Sequence, residues 1–164
     1  MNPKVEFVET SRRWRGALPA RTLAKAAIAA AAAECGVPFK RGAELCVHLV
    51  GDADIQALNA EWRQKDAPTN VLSFPAVEAS RVADSPLLGD IFVAFDTLKR
   101  EAEDEEKPLP DHFRHLVIHG FLHLVGFDHV EAAEAEAMEA LEVKALARLG
   151  VADPYAQSEL ADAK

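Results

Sequence analysis

The sequence predicts an α+β fold, a single domain in which a small four-stranded sheet is packed with about five helices. Three observations carry that prediction. The chain has 164 residues, the size of one domain around one core, and 49% of them are hydrophobic. Its apolar residues fall into short β-rich runs and longer helical stripes, in the order β-α-β-α-β-β-α-α-α. No internal repeat is visible. The domain is expected to span residues 1–153, with 154–164 as a frayed tail.

The elements follow from local pattern. KVEFVE at 4–9 alternates as a half-buried strand does. Residues 20–35 are alanine-rich and helical, stopped by Gly36 and Pro38. ELCVHLVG at 44–51 is a nearly continuous apolar run, the pattern of a central strand. Asp52 is placed to cap a helix over 53–63, in which Ile55, Leu58 and Trp62 share one face. Pro68 makes KDAPTN a loop. NVLSF at 70–74 and GDIFVAF at 89–95 read as short strands joined by a loop over 75–88. Asp96 or Thr97 is expected to cap a helix through LKREAEDEE, which KPLPD interrupts. A further helix runs from about 110 to 125 and stops at Gly126. Residues 131–149 form a long amphipathic helix closed by Gly150, with an acidic start and a basic end that suit its dipole.

Composition narrows the function classes. No run of about 18 apolar residues occurs, so no membrane span is predicted. The alanine-rich AKAAIAAAAAEC at 24–35 comes nearest and reads as a helix. MNPKVEFVET lacks a basic region followed by an apolar core, so no secretory signal is expected and the cytoplasm is the default compartment. Cys35 and Cys46 read as reduced, partly buried thiols. The net charge of −9 speaks against indiscriminate nucleic-acid binding. That charge is uneven, because residues 1–72 hold 10 Lys+Arg against 8 Asp+Glu and the remainder 8 against 19. The basic clusters Arg12, Arg13, Arg15 and Arg63, Lys65 could meet an anionic polymer locally, or simply be solvated surface.

The segment HGFLHLVGFDH, residues 119–129, carries the chemistry. His119 and His123 lie one helical turn apart, about 6 Å along the axis, so one tetrahedral ion can bridge them. His115 lies about 12 Å before His123, too far to share that ion. A third ligand must come from a chain that turns back. Gly126 supplies the turn, in a left-handed conformation that swings residues 127–129 toward the first two rings and makes His129 the third ligand. Three neutral imidazoles with an open fourth position form a catalytic zinc pattern. Asp128 is placed either to orient a ring and take a proton, or to cap the following helix. His115 lines the cleft or faces solvent, while His48 and His112 read as ordinary structural histidines.

With these residues in place, the chain resembles the YbeY family of bacterial endoribonucleases. HGFLHLVGFDH resembles the family signature, with Phe127 where tyrosine is common. LNAEWRQKDAPTNVLSFP at 58–75, LLGDIFVA at 87–94 and the helix ending in LARLG resemble further blocks, together most of residues 44–150. The resemblance implies a zincin-like arrangement, with a zinc helix beneath a small mixed sheet. It also implies one Zn2+ per chain at His119, His123 and His129, and an Arg63 that meets the RNA backbone or reacting phosphate. Arg63 and His119 are therefore the residues on which catalysis is expected to depend, with Asp128 as a further candidate. Lys65, Ser73 and His115 are expected to help bind substrate, and Asp90 could be structural or functional.

The activity implied is a single-strand-specific, zinc-dependent endoribonuclease acting in late 16S rRNA 3′-end maturation and ribosome quality control. Implied partners are the 30S subunit, a small-subunit ribosomal protein and the Era GTPase. Two other readings compete. A metalloprotease shares the H-x₃-H-x₅-H spacing, but Gly120 stands where its general-base glutamate belongs, and Met138 lies within an acidic helix rather than a turn beneath the metal. A non-catalytic ribosome-assembly factor would use zinc only to organise a binding surface. Under the nuclease reading, Gly120 is expected to open space beside the metal and to spare a phosphodiester a repelling carboxylate.

Overall fold

A computed structural model of the protein describes residues 2–156. Strands β1 (Lys4–Glu9), β2 (Glu44–Val50), β3 (Val71–Pro75) and β4 (Leu87–Ala94) form one sheet in the order β1-β2-β4-β3. β1, β2 and β4 run parallel, and β3 runs antiparallel along the edge. The sheet is mixed, and the nearly continuous apolar run of β2 is interior as its pattern predicted. Two-residue periodicity decides which face is buried. Leu45, Val47, Leu49, Ile91 and Val93 point one way into the core, and Cys46, His48, Asp90 and Phe92 point the other way and stay half-buried.

Helix α4 (Leu109–Leu124) packs against the core face of β3 and β4, and α1 (Ala20–Glu34) and α5 (Ala132–Arg148) pack against α4. Small side chains make the α1 packing close: Ala24, Ala27 and Ala31 have no exposure at all. On the opposite face, α2 (Asp52–Arg63) covers one end of the sheet through Ile55, against Val50 and Ala94. Trp14, on a short 3-10 turn at Arg12–Trp14, is buried. Its ring meets Phe95 and Phe113 edge-on at 5.2 and 5.4 Å, and its indole N–H donates to the Val50 carbonyl at 2.9 Å. That hydrogen bond is what lets a large aromatic with a polar atom be buried here. The expected 75–88 loop likewise contains a 3-10 turn, Ala79–Asp84.

Two capping expectations are corrected. Gly51, not Asp52, is the N-cap of α2, and its N–H donates to the Asp54 carboxylate at 3.2 Å. Asp52 reaches instead to α3 (Phe95–Asp104), accepting from the Thr97 backbone N–H at 3.1 Å and from its hydroxyl at 2.9 and 3.0 Å. Neither Asp96 nor Thr97 caps α3, because a neighbour does. The reason is topological. β2 and β4 are parallel partners with Val50 opposite Ala94, so both following helices start side by side.

The outer rim of β3 is partly covered by side chains. Val71 N–H donates to Asn70 Oδ1 at 2.6 Å, Arg63 donates to the Ser73 carbonyl at 3.0 Å, and Pro75 ends the strand without an N–H. Asn70 also donates to Glu101 at 3.0 Å, and Glu101 pairs with the buried His112 at 2.9 Å. Burial pushes the Glu101 carboxyl up, but the hydrogen bonds from His112 and Asn70 outweigh it and hold the group below its ordinary 4.5. A depressed folded pKa adds stability that is full above 4.5 and is lost as pH falls through the lower folded value. Glu101→Gln is therefore expected to flatten the loss of stability on acidification, read as urea midpoints between about pH 6 and about pH 3.

The frayed tail expected from residue 154 lies mostly outside the described residues. Residues 154–156, which are described, fold back instead. Tyr155 N–H donates to Asp153 at 2.8 Å and its hydroxyl donates to Glu142 at 2.8 Å.

Candidate metal centre

Helix α4 is two-sided. Val117, Ile118, Gly120, Phe121 and Leu122 face the core, and His119 and His123 share the side that faces a cleft of about 1100 Å³. The helix ends as Gly126 dictates. Gly126 has φ +104, its N–H donates to the His123 carbonyl at 3.2 Å, and Phe127 N–H donates to Leu122 at 3.0 Å. These are the two bonds of a Schellman stop. The chain then doubles back and brings His129 to the first two rings, with centroids 5.5 Å from His119 and 5.0 Å from His123.

The three rings fit a divalent cation. One nitrogen from each lies within 4.8 Å of the others, and His119 Nε2 and His123 Nε2 are 3.1 Å apart. A tetrahedral zinc with bonds of about 2.0–2.1 Å would set its donors about 3.3 Å apart, close to that edge. Both helical histidines are oriented from behind. His123 Nδ1 donates to the Phe127 carbonyl at 3.0 Å, which leaves Nε2 as its free lone pair. His119 Nδ1 meets Glu142 at 3.3 Å. Burial, then the neighbouring His119 and His129, hold the His123 pKa below 6.5, favouring the neutral ring that a ligand must be.

Glu142 is the residue that sequence reasoning missed. It lies on α5, is only 1% exposed, and takes hydrogen bonds from His115 and Tyr155 as well as His119. Burial alone pushes its carboxyl up, yet those hydrogen bonds prevail and hold it at about 2. It is a buried anion stabilised by three donors, one of them a candidate ligand. A carboxylate behind a ligating histidine fixes the ring and raises its basicity. His115 lines the cleft, the first of its two expected placements, and its Nε2 is committed to Glu142.

The other expected residues divide. Arg63 lines the cleft, donates one N–H to the Ser73 carbonyl, and lies over the Phe74 ring at 5.0 Å. Ser73 also lines it, but its hydroxyl donates to the Gly120 carbonyl at 2.9 Å and so ties β3 to α4. Lys65 is exposed beyond the end of α2 and is not among the residues lining the cleft. Asp128 lines the cleft and accepts from His129 N–H at 2.7 Å; it is not the cap of α5, whose N-cap is Glu131. Arg12 and Arg13 line a separate surface depression, where Arg13 pairs with Asp96.

Contrary to the expectation of open space, Gly120 is closely surrounded. A Cβ there would come within 2.9 Å of Ile91, 3.0 Å of Ser73 Oγ and 3.4 Å of Val71. Glycine lets α4 lie close against β3 and β4, so a glutamate at 120 would disrupt packing before it could repel a substrate. Even Gly120→Ala is expected to cost about 1–3 kcal/mol by overpacking, measured by urea denaturation. Met138, fully buried within α5, lies in a helix and not in a turn beneath the three histidines.

A profile of the YbeY family, described as endoribonuclease YbeY, matches residues 11–150. A relative named endoribonuclease YbeY from Rhodopseudomonas palustris strain BisB18 is 50% identical over 160 residues, covering 96% of this chain and 95% of its own length. One of the same name from Methylocella silvestris is 45% identical over 155 residues, covering 94% and 87%. The solution structure of the Thermotoga maritima protein TM1509 superposes with a TM-score of 0.56 at 23% identity, covering 88% of this chain and 91% of that one. That last likeness is one of fold.

Proposed function

Because this chain belongs to the YbeY endoribonuclease family, we propose that it cleaves single-stranded RNA at the three-histidine centre, with one Zn2+ held by His119, His123 and His129. The observation that carries the reading is the meeting, in one cleft, of three convergent imidazoles and a guanidinium. When bound, the cation supplies Lewis acidity that polarises a phosphoryl oxygen and acidifies water.

The protein's own groups do the rest. Arg63 spends one of its five N–H donors on Ser73 and rests on Phe74, so its plane is fixed while other donors remain for phosphate oxygens. There it offsets charge that develops on the phosphorus oxygens. Glu142 and the Phe127 carbonyl keep the two helical imidazoles in one tautomer, with Nε2 presented to the cleft. Asp128, which lines the cleft beside His129, would handle a proton, and Ser73 holds the strand that forms one wall.

The biological setting we propose is late 16S rRNA 3′-end maturation and ribosome quality control in the cytoplasm. The partners would be the 30S subunit, a small-subunit ribosomal protein and the Era GTPase. No helix among the described residues is long and apolar enough to cross a membrane. Zinc-loaded protein should cut single-stranded rRNA fragments, and Arg63→Ala should slow cleavage roughly 10²–10³-fold, the usual loss for one charge-stabilising donor. Cleavage unaltered in that variant would remove Arg63 from the mechanism.

A further inference from the structure

The half-buried face of the sheet gathers a second set of metal-type donors. Cys46 and Asp90 are register partners on adjacent parallel strands, and His48 lies two residues along β2 on the same face. One ligand atom from each residue falls within 4.8 Å of the others, and His48 Nε2 is 2.8 Å from Asp90 Oδ1. The His48 ring lies flat on Phe92, with centroids 4.0 Å apart and planes 11° apart, so its orientation is fixed before any ligand arrives. Across β1, the register partner of Cys46 is Glu6, now paired with the exposed Lys4 at 3.0 Å. None of these residues lines the cleft of the three histidines.

We propose that Cys46, His48 and Asp90 form a second cation site, which takes a thiophilic divalent ion such as Zn2+ or Co2+. A sulfur, a nitrogen and an oxygen donor are the set that borderline-soft divalent ions accept, and three donors leave a fourth position for Glu6 or water. The local charge suits a cation. Asp90, Glu6 and Glu44 surround the thiol, and with burial as the leading cause they raise its pKa, so the free group is a protonated thiol and not a nucleophile. A bound cation offsets that negative charge, and the thiol proton passes to solvent as sulfur ligates. Cys35, by contrast, is buried in the core with its thiol against the Ala32 carbonyl.

Cobalt distinguishes the two centres, because only a thiolate ligand gives a sulfur-to-Co2+ charge-transfer absorption and the three-histidine centre has no sulfur. Titration of the full-length protein with Co2+ should develop that absorption over about one equivalent beyond what the three-histidine centre takes up. Cys46→Ser should abolish it, and Asp90→Asn should weaken the affinity read from it about 10–100-fold. Cys35→Ser and His119→Ala should leave it intact. Absence of the absorption in wild-type protein at saturating Co2+ overturns the proposal and leaves a plain thiol beside a hydrogen-bonded His–Asp pair. So does an absorption that survives Cys46→Ser.

Discussion

His119→Ala is expected to take bound metal from about one ion per chain to none at the three-histidine centre. RNA cleavage should fall by more than the ~10²–10³-fold that loss of a single charge-stabilising donor costs. The ring projects into the cleft and is partly exposed, so the metal-free variant should keep its fold, with a urea midpoint lowered because the buried Glu142 carboxylate loses one of its three donors. Cells carrying it should accumulate 16S rRNA with unprocessed 3′ ends. If 3′ ends remain accurate while ribosomal particles are still bound, the assembly-factor reading replaces the nuclease reading. Peptide hydrolysis that a chelator stops would instead favour the protease.

The second large effect is expected at Glu142, which is 1% exposed and would act by positioning His119. Its two oxygens accept from His115, His119 and Tyr155. An amide of the same size has one accepting oxygen, and its NH₂ would face at least one of those donors. Glu142→Gln should therefore weaken metal affinity about 10–100-fold in competition with a chelator. It should also lower stability by about 1–3 kcal/mol through the unmet buried donor. Glu142→Ala should cost more on both counts. Unchanged affinity in the glutamine variant would show that His119 needs no support from behind.

The parts of this site that were legible in the sequence are the parts set by local geometry. One-turn spacing on a helix put His119 and His123 together, and a glycine stop delivered His129. Two-residue alternation identified β1, and the continuous apolar run identified β2 as interior. What stayed hidden depended on tertiary neighbours. Asp52 looks like a cap for its own helix, and only the parallel pairing of β2 with β4 turns it to α3. Gly120 looks like a vacancy in a protease motif until β3 and β4 are seen to fill the space beside it. Glu142 is one of many acids in EAAEAEAMEALEVK, yet it was within reach. It falls on the stripe of Met138, Ala145 and Leu146 that α5 buries, and a charge on an apolar stripe marks a buried partner.

The rim of β3 has a consequence for how copies of this chain treat one another. An edge strand offers its unpaired amides and carbonyls as a template for a neighbour's strand, the first step of sheet-to-sheet aggregation. Here the Asn70 amide oxygen occupies one amide, Arg63 occupies one carbonyl, and Pro75 has no amide to offer. Arg63, proposed to meet phosphate, thus also hinders a neighbouring strand from pairing here. The cleft can keep a strand at its border without turning that strand into an adhesive.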